Sequence, residues 1–207
     1  MKRQQCLQCN RPQSVCICHC LKTVDNQWPV WILQHPAELK HAIGTAKIAT
    51  LSLKNILTID SEQAIINKNI KTEIISRVPT LVYPGADAMT LTQLQQLSQE
   101  EHGPLLFLDG SWRKTRKMLY DFPELEKLPR VAIQPDTHSR YRIRKEPNET
   151  AISTLEAIVY VLSQLENDKA KYQPLLDTMD WMINKQIEYM GKETYLKNYE
   201  KNNDNDK

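Results

Sequence analysis

The sequence predicts an α/β fold in which helices cover both faces of a mostly parallel sheet, preceded by a small cysteine-rich segment. Three observations lead to this prediction. Short apolar runs rich in β-branched and aromatic residues recur along the chain. Stretches with apolar residues at helical spacing separate them, and strands that alternate with helices pair in parallel. All five cysteines lie between residues 6 and 20, ahead of the first apolar run.

Length and composition bound the kind of protein. A chain of 207 residues with 41% hydrophobic and 25% charged residues suits one soluble domain with a small appendage. No apolar run approaches the roughly 18 residues of a membrane helix, and the N-terminus lacks an apolar signal core. We therefore expect a cytoplasmic protein with no membrane association and no evident obligate protein partner. The five glycines leave no room for a dinucleotide-type glycine-rich loop.

The cysteine-rich segment, residues 1–22, has the spacing C-x2-C-x6-C-x-C-x-C. Thiol pairs this close in a chain without an export signal favour a metal site over a disulfide framework. We predict a structural Zn²⁺ held by Cys6, Cys9, Cys16 and Cys18, with Cys20 or His19 as possible replacements for Cys18. A reduced or redox-active cluster is the alternative. Nearby basic residues leave open whether the segment is a scaffold or contacts RNA; they are Lys2, Arg3, Arg11 and Lys22.

The main domain, residues 23–195, is expected to contain five strands. The apolar runs predict them at residues 28–34, 56–59, 80–83, 104–108 and 130–133. The first run ends at a proline, and the third is cut by Pro84-Gly85. Helical spacing of apolar residues predicts the helices between and after these strands, at residues 38–54, 61–76, 91–100, 112–120, 155–165 and 173–190.

Two sequence signals fix helix starts. Thr90-x-x-Gln93 and Ser153-x-x-Glu156 have the form of capping boxes. Residues 134–151 lack periodicity, and a long loop inside a compact domain is usually functional. Residues 196–207 form a polar tail.

The fourth strand delivers an acid to its carboxyl end, where open α/β sheets place their chemistry. Asp109 follows the apolar run 104–108, and Ser111 opens a basic helix that begins with Trp112. The simpler interpretation is a strand, a tight turn and a serine-capped helix.

Positive charge is concentrated in one window. Arg113 to Lys145 contains ten basic and four acidic residues, a net charge of +6 against +2 for the whole chain. Such clusters indicate a polyanion partner, and Trp112, Tyr120 and Tyr141 lie among them for stacking on bases. The alternative is a solvated face with ion pairs. The predicted RNA contacts are Arg113, Lys114, Arg116, Lys117, Arg140, Arg144 and Lys145.

Five groups of motifs, in order, resemble the DTW-domain family, and most closely its bacterial tRNA-uridine aminocarboxypropyltransferases. The resemblance covers the chain from Cys6 to about Ile187, with one departure, Ser111 where the family usually has threonine. Its motifs are Cys6-x-x-Cys9-x-Arg11-Pro12 with Cys16-x-Cys18, His35-Pro36-x-Glu38, Tyr83-Pro84-Gly85-x-Asp87-Ala88, Leu108-Asp109-Gly110-Ser111-Trp112, and Tyr141-Arg142-Ile143-Arg144-Lys145-Glu146-Pro147 with Ser153-Thr154-Leu155-Glu156-Ala157.

The resemblance implies a SPOUT-like domain with a knot toward its C-terminal half. It also implies transfer of the 3-amino-3-carboxypropyl group of S-adenosylmethionine to N3 of a uridine in the tRNA variable loop (tRNA position 47), with release of methylthioadenosine. Asp109 is then the base or orients the N3–H group, with Ser111 and its helix start facing the donor. Trp112 either holds the uracil or packs under the sheet. The donor would contact Tyr83, Pro84, Gly85, Leu108, Gly110, Arg142, Ser153, Thr154 and Glu156.

Two other functions remain open from the sequence. A SPOUT-like RNA methyltransferase would use the same donor but expose its methyl group. A noncatalytic zinc-knuckle RNA-binding protein would keep the cysteines and the basic residues and would not bind the donor.

Overall fold

Parallel strands form the centre of the molecule. A computed structural model describes residues 4–39, 44–97, 102–135, 139–143 and 152–200. Within these residues one sheet contains five strands in the order β2-β1-β4-β3-β5, and every neighbouring pair is parallel. The strands are β1 (Val30–Gln34), β2 (Ile56–Asp60), β3 (Thr80–Val82), β4 (Leu105–Asp109) and β5 (Arg130–Val131). The predicted α/β fold with a parallel sheet is confirmed.

Helices cover both faces of the sheet, as side-chain alternation along the strands requires. In β4, Leu105 and Phe107 belong to one buried cluster, whereas Leu106 and Leu108 belong to the other. The described helices are α1 (Pro36–Leu39), α2 (Ala46–Ser52), α3 (Ser61–Ile66), α4 (Lys68–Ser76), α5 (Leu91–Gln95), α6 (Trp112–Asp121), α7 (Thr154–Leu165), α8 (Lys169–Met190) and α9 (Lys192–Tyr195). Three-residue and five-residue 3-10 turns span Gln13–Val15 and Pro123–Lys127.

Local capping explains where helix bounds differ from those predicted. The stretch 61–76 is two helices, because the Asn67 side chain accepts hydrogen bonds from the N–H groups of Asn69 and Ile70 and starts α4. The last long helix begins four residues earlier than predicted, at Lys169. There the Asp168 side chain accepts from the N–H group of Lys171, and Pro174 is accommodated inside the helix.

The C-terminal residues pack more than a polar tail would. A π-helical turn spans Leu196–Glu200, and the Leu196 and Tyr199 side chains lie against the larger buried cluster. Tyr199 also stacks on Tyr195 with ring centroids 5.6 Å apart. The first residues of the predicted tail therefore contact the core, while residues 201–207 lie outside the described residues.

The cysteine-rich segment packs against the main domain. Cys9 and Ile17 are part of the larger buried cluster, together with residues of α7 and α8. The segment therefore shares the hydrophobic core of the sheet domain. Across the described residues, no helix combines the length with the apolar character that a bilayer crossing needs.

Candidate functional site

Four cysteines converge in the N-terminal segment. The Sγ atoms of Cys6, Cys9, Cys16 and Cys18 all lie within 4.8 Å of one another. The Cys6–Cys18 and Cys9–Cys16 Sγ separations are 3.6 and 3.8 Å. A tetrahedron with Zn–S bonds of about 2.3 Å has edges of about 3.8 Å. The four thiols that the spacing selected can therefore hold one metal ion.

Cys20 and His19 lie outside this set. The Cys20 Sγ and His19 Nε2 atoms are 3.1 Å apart, and the His19 ring packs edge-on against Trp181 at 4.6 Å. The backbone N–H groups of Cys9 and Gln8 lower the pKa of the Cys6 thiol to about 6. Burial, followed by hydrogen bonds that the Cys18 thiol donates to the neighbouring sulfur atoms, raises the pKa of Cys18 to about 12. A bound cation would favour the deprotonated form of all four thiols.

Arg11 is the charged side chain behind this cluster. It is only 2% exposed, and its Nη2 atom donates to the Gly44 carbonyl oxygen at 3.0 Å and approaches the Met182 sulfur at 3.1 Å. Burial lowers the pKa of Arg11, and nearby Cys9 opposes that shift. Arg11 is thus excluded as an RNA contact. Lys2 and Arg3 lie outside the described residues, and Lys22 is exposed.

Asp109 lies at the carboxyl end of β4, in the middle of the sheet. Its neighbour on β1 in the strand register is Gln34, whose Nε2 atom donates to the Asp109 Oδ2 atom at 2.7 Å. The Thr154 hydroxyl donates to the Asp109 Oδ1 atom at 2.6 Å. Side chains alternate between the two faces of a strand, and this places Gln34 and Asp109 on the face of the sheet that α7 covers. Thr154, the first residue of α7, therefore reaches the Asp109 carboxylate. The Asp109 residue is 8% exposed.

The amino end of α7 is held by the predicted capping box. The Ser153 hydroxyl accepts from the N–H group of Glu156, and the Glu156 Oε2 atom accepts from the N–H group of Ser153 at 2.8 Å. Glu156 also accepts from the Ser139 hydroxyl at 2.8 Å and from the N–H group of Arg140 at 2.6 Å. One carboxylate therefore joins the helix start to the segment 139–143.

A cavity of about 520 Å³ opens beside Asp109, at the carboxyl ends of β3 and β4. This size is typical of small-molecule sites. Among the described residues, the side chains that line it are uncharged: Val82, Tyr83, Pro84, Phe107, Leu108, Gly110, Trp112, Thr115, Ile133, Gln134, Pro135, Ile152, Ser153, Thr154 and Ala157. A Cβ atom at Gly110 would lie 3.0 Å from the Lys114 Cβ atom, so any larger residue here would have to displace the Lys114 side chain slightly.

The cavity brings together most, but not all, of the predicted donor contacts. Tyr83, Pro84, Leu108, Gly110, Ser153 and Thr154 line it. Gly85, Arg142 and Glu156 do not belong to its described lining. Arg142 instead donates from Nη2 to the Asn184 side-chain oxygen on α8 at 2.7 Å. The Asp109 carboxylate lies behind the lining, in contact with the Thr154 hydroxyl.

Trp112 and Ser111 differ from the simplest expectation. Trp112 is 41% exposed at the cavity mouth, tilted against Tyr83 with ring centroids 5.6 Å apart, so it does not pack under the sheet. Ser111 occupies the cap position of α6, but its side chain makes no capping hydrogen bond. Its carbonyl oxygen accepts the N–H group of Thr115 at 2.8 Å.

The predicted RNA contacts divide into paired and exposed residues. Lys114 pairs with Glu38 at 2.6 Å, Lys117 with Asp121 at 2.6 Å, and Arg140 with Asp180 at 3.1 Å. Arg113 and Arg116 are exposed on α6, and Arg144 and Lys145 lie outside the described residues. Among the aromatic candidates, Tyr120 is 84% exposed, whereas Tyr141 is buried and cannot stack on a base.

Sequence reasoning missed two donors to Asp109 and one buried cation. Gln34 ends an apolar strand, and only its register with β4 brings it to Asp109. Thr154 was expected to contact the donor, with no link to Asp109. Arg11 was grouped with the basic residues that leave RNA contact open. One feature of the sequence could have predicted that Arg11 is buried: it lies between two cysteine pairs that must converge to share a metal ion.

Fold and site together define an α/β protein with a small-molecule cavity at the carboxyl edge of its parallel sheet and a four-thiol cluster that packs on its core. The chain belongs to the DTW-domain family, whose DTW domain matches residues 3–187. Its relatives are named as enzymes. It is 26% identical to tRNA-uridine aminocarboxypropyltransferase 2 of Macaca fascicularis, over 95% of this chain and 70% of that protein.

Two further relatives come from an insect and a plant. The Drosophila melanogaster tRNA-uridine aminocarboxypropyltransferase 2 is 29% identical, over 95% of this chain and 82% of its own length. The Arabidopsis thaliana tRNA-uridine aminocarboxypropyltransferase A is 24% identical, over 91% of this chain and 83% of its own length. No solved structure matches the chain.

Proposed function

We propose that this protein is a tRNA-uridine aminocarboxypropyltransferase that uses S-adenosylmethionine and modifies N3 of a uridine in the tRNA variable loop. The observation that carries the proposal is the uncharged cavity whose wall contains Thr154, itself hydrogen-bonded to Asp109, at the carboxyl edge of the sheet. The names of the relatives across nearly the whole chain support the same activity.

The cavity fits the nucleoside part of the donor. Its volume of about 520 Å³ and largely apolar walls, which include residues 82–84 and 133–135, suit an adenine and ribose. When bound, the donor supplies an electrophilic methylene carbon whose bond to sulfur breaks as the bond to uridine N3 forms. We assign its carboxylate to the amino end of α7, where the first backbone N–H groups and the positive dipole end favour an anion.

Uridine N3 carries a proton that must be removed for it to react as a nucleophile. Thr154 lines the cavity and donates its own hydroxyl proton to Asp109. We therefore propose that N3–H donates to the Thr154 oxygen, and that the proton passes through the hydroxyl to the Asp109 carboxylate. Gln34 holds the other carboxylate oxygen in place.

The four-thiol cluster is proposed to hold a structural Zn²⁺. A buried guanidinium is costly unless negative charge lies near it, and four thiolates around a divalent cation carry a net negative charge. Arg11 beside Cys9 therefore fits a metal-bound cluster better than four neutral thiols. The metal has a structural role, and no step of the reaction involves it.

The remaining expectations stay predictions. A SPOUT-like knot toward the C-terminal half is proposed from the resemblance. Residues 136–138 and 144–151, in the connection between β5 and α7, lie outside the described residues. Cytoplasmic location and the division at residues 22 and 195 are likewise proposed from the sequence.

The decisive experiment incubates the protein with unmodified tRNA and S-adenosylmethionine and identifies the nucleosides and small products by mass spectrometry. Methylthioadenosine and a uridine enlarged by the aminocarboxypropyl group are the expected products. S-adenosylhomocysteine in their place would indicate a methyltransferase and overturn the proposal. Absence of donor binding in calorimetry would instead indicate a noncatalytic RNA-binding protein.

Asp109→Asn is the matched variant, since it keeps the shape of the side chain and removes its basicity. We expect loss of turnover with tRNA affinity within about twofold of the parent protein, measured by product formation and by filter binding. Full activity of this variant would remove Asp109 from the mechanism.

A further inference from the structure

Arg130 occupies a fixed position beside the cavity. It begins β5, and its guanidinium carbon lies 6.0 Å from the centroid of the Tyr83 ring. Its Nη1 atom is 3.4 Å from the Pro84 carbonyl oxygen. A Cβ atom at Gly85 would lie 3.1 Å from Arg130 Cδ and 3.2 Å from Nη1. The glycine of Tyr83-Pro84-Gly85 therefore leaves the space that the Arg130 side chain fills.

The charge of Arg130 is not matched by a carboxylate in the described part of the chain. No ion pair joins it to the described acidic residues, whereas Lys114, Lys117 and Arg140 each have one. Guanidinium groups bind carboxylates and phosphates with two parallel N–H groups. A half-buried guanidinium held against an aromatic ring is thus suited to an anion that arrives with a ligand.

Arg130 continues a row of aromatic rings. Tyr83 lies between Arg130 and Trp112, and its ring is tilted by 60° against the exposed indole of Trp112. We call these three residues the Trp112–Tyr83–Arg130 row. Sites for single-stranded nucleic acid combine an exposed aromatic face, on which a base stacks, with a cation that contacts the backbone.

We propose that the Trp112–Tyr83–Arg130 row binds an unpaired stretch of RNA, with a base on Trp112 and a backbone phosphate on Arg130. This inference rests on the proposed function, in which tRNA is the substrate, and it identifies residues that would bind the RNA. Tyr83 lines the cavity, whereas Arg130 is outside its described lining. We therefore assign the charge of Arg130 to the RNA strand and not to the donor. Gly85 acts through Arg130 as a positioning residue.

Binding of a short uridine-rich single-stranded oligoribonucleotide, without donor, tests the row. We expect Arg130→Gln to weaken binding about five- to tenfold and to reduce the salt dependence by about 0.7 in the log–log slope, as loss of one phosphate contact requires. Trp112→Ala should weaken binding about tenfold with an unchanged slope. Arg77→Gln is the charge-matched control, because Arg77 follows α4 and precedes the amino end of β3, at the opposite end of the sheet. An Arg130→Gln protein that binds like Arg77→Gln overturns the proposal.

Gly85→Ala tests the geometry in a double-mutant cycle. The backbone of Gly85 needs no left-handed conformation, so alanine acts through its contact with Arg130. We expect Gly85→Ala to weaken binding two- to fivefold in the parent protein and to have no further effect in Arg130→Gln. Additive effects would contradict the proposed placement. Equal thermal unfolding midpoints of all variants show that the fold is retained.

The anion that Arg130 binds could instead be the carboxylate of the donor. Binding of two small molecules distinguishes this carboxylate from an RNA phosphate. S-adenosylhomocysteine carries the aminocarboxypropyl group, and methylthioadenosine lacks it. If Arg130→Gln weakens binding of the first molecule alone while RNA binding is retained, Arg130 serves the donor and the row proposal fails. Because these assays need no turnover, a protein that binds RNA through the row but forms no methylthioadenosine would refute only the proposed activity.

Discussion

A single hydroxyl connects the cavity to the acid behind it. Asp109 is close to fully buried, and a carboxylate in that position needs donors on both oxygens. Gln34 and Thr154 supply them at 2.7 and 2.6 Å. Because the Thr154 hydroxyl proton is donated to Asp109, the Thr154 oxygen is left as an acceptor for a ligand in the cavity.

Thr154→Val should therefore remove catalysis while leaving the fold. We expect kcat to fall roughly 10- to 100-fold, since a hydrogen bond to a charged group is worth about 1.5–3 kcal/mol, with donor affinity changed less than threefold. Steady-state kinetics and calorimetry with S-adenosylmethionine measure both. Thr154→Ser keeps the hydroxyl and should retain most of the activity. If the two variants behave alike, the hydroxyl takes no part in proton transfer.

The individual residues that the sequence could predict are those selected by their spacing from nearby residues in the chain. The four cysteines whose Sγ atoms converge come from a short segment, so their spacing alone selects them. Asp109 was found because it ends an apolar run. The contact from Gln34 to Asp109 could not be predicted, because it depends on the pairing of β1 with β4. The two residues are 75 positions apart in the sequence.

The α7 helix shows how one element serves two segments. The pattern Ser153-x-x-Glu156 predicted the capping box, and the structure confirms it. The bonds from Glu156 to Ser139 and Arg140 were not predictable, because residues 134–151 carry no periodicity from which to place them. Capping signals are local, whereas loop docking depends on the finished fold.

Glu156→Ala should destabilise the protein more than loss of an ordinary cap. We expect the free energy of unfolding to fall by about 2–4 kcal/mol, because the Ser153 and Arg140 N–H groups and the Ser139 hydroxyl lose their acceptor. Gln93→Ala removes the equivalent residue of the exposed capping box of α5 and should cost about 0.5–1 kcal/mol. Urea unfolding of both variants gives the comparison. Equal losses would show that the bonds to 139–140 contribute nothing.

On the scale of the whole molecule, Arg11 joins the four-thiol cluster to the rest of the chain. Its guanidinium reaches Gly44 ahead of α2 and Met182 on α8, two regions far apart in sequence. The sequence indicated a small separate knuckle, because the cysteines are clustered. It could not show the docking, which depends on a side chain that is usually exposed.

Metal removal should therefore weaken the entire domain. We expect one Zn²⁺ per chain, and chelation should lower the thermal unfolding midpoint by more than about 5 °C and expose five reactive thiols in place of one. Cys16→Ser should abolish metal binding, whereas Cys20→Ser should leave the metal content and the midpoint unchanged. Five reactive thiols before chelation would contradict the proposed site.

The place of β4 in the sheet also governs the order in which the chain can assemble. β4 lies between β1 and β3 and is made after both of them, so β3 has no neighbour in the sheet until residues 105–109 have been synthesised. Such non-local pairing folds slowly. Because Asp109 ends this same strand, the strand that joins β1 to β3 is also the one that brings the acid to the carboxyl edge of the sheet.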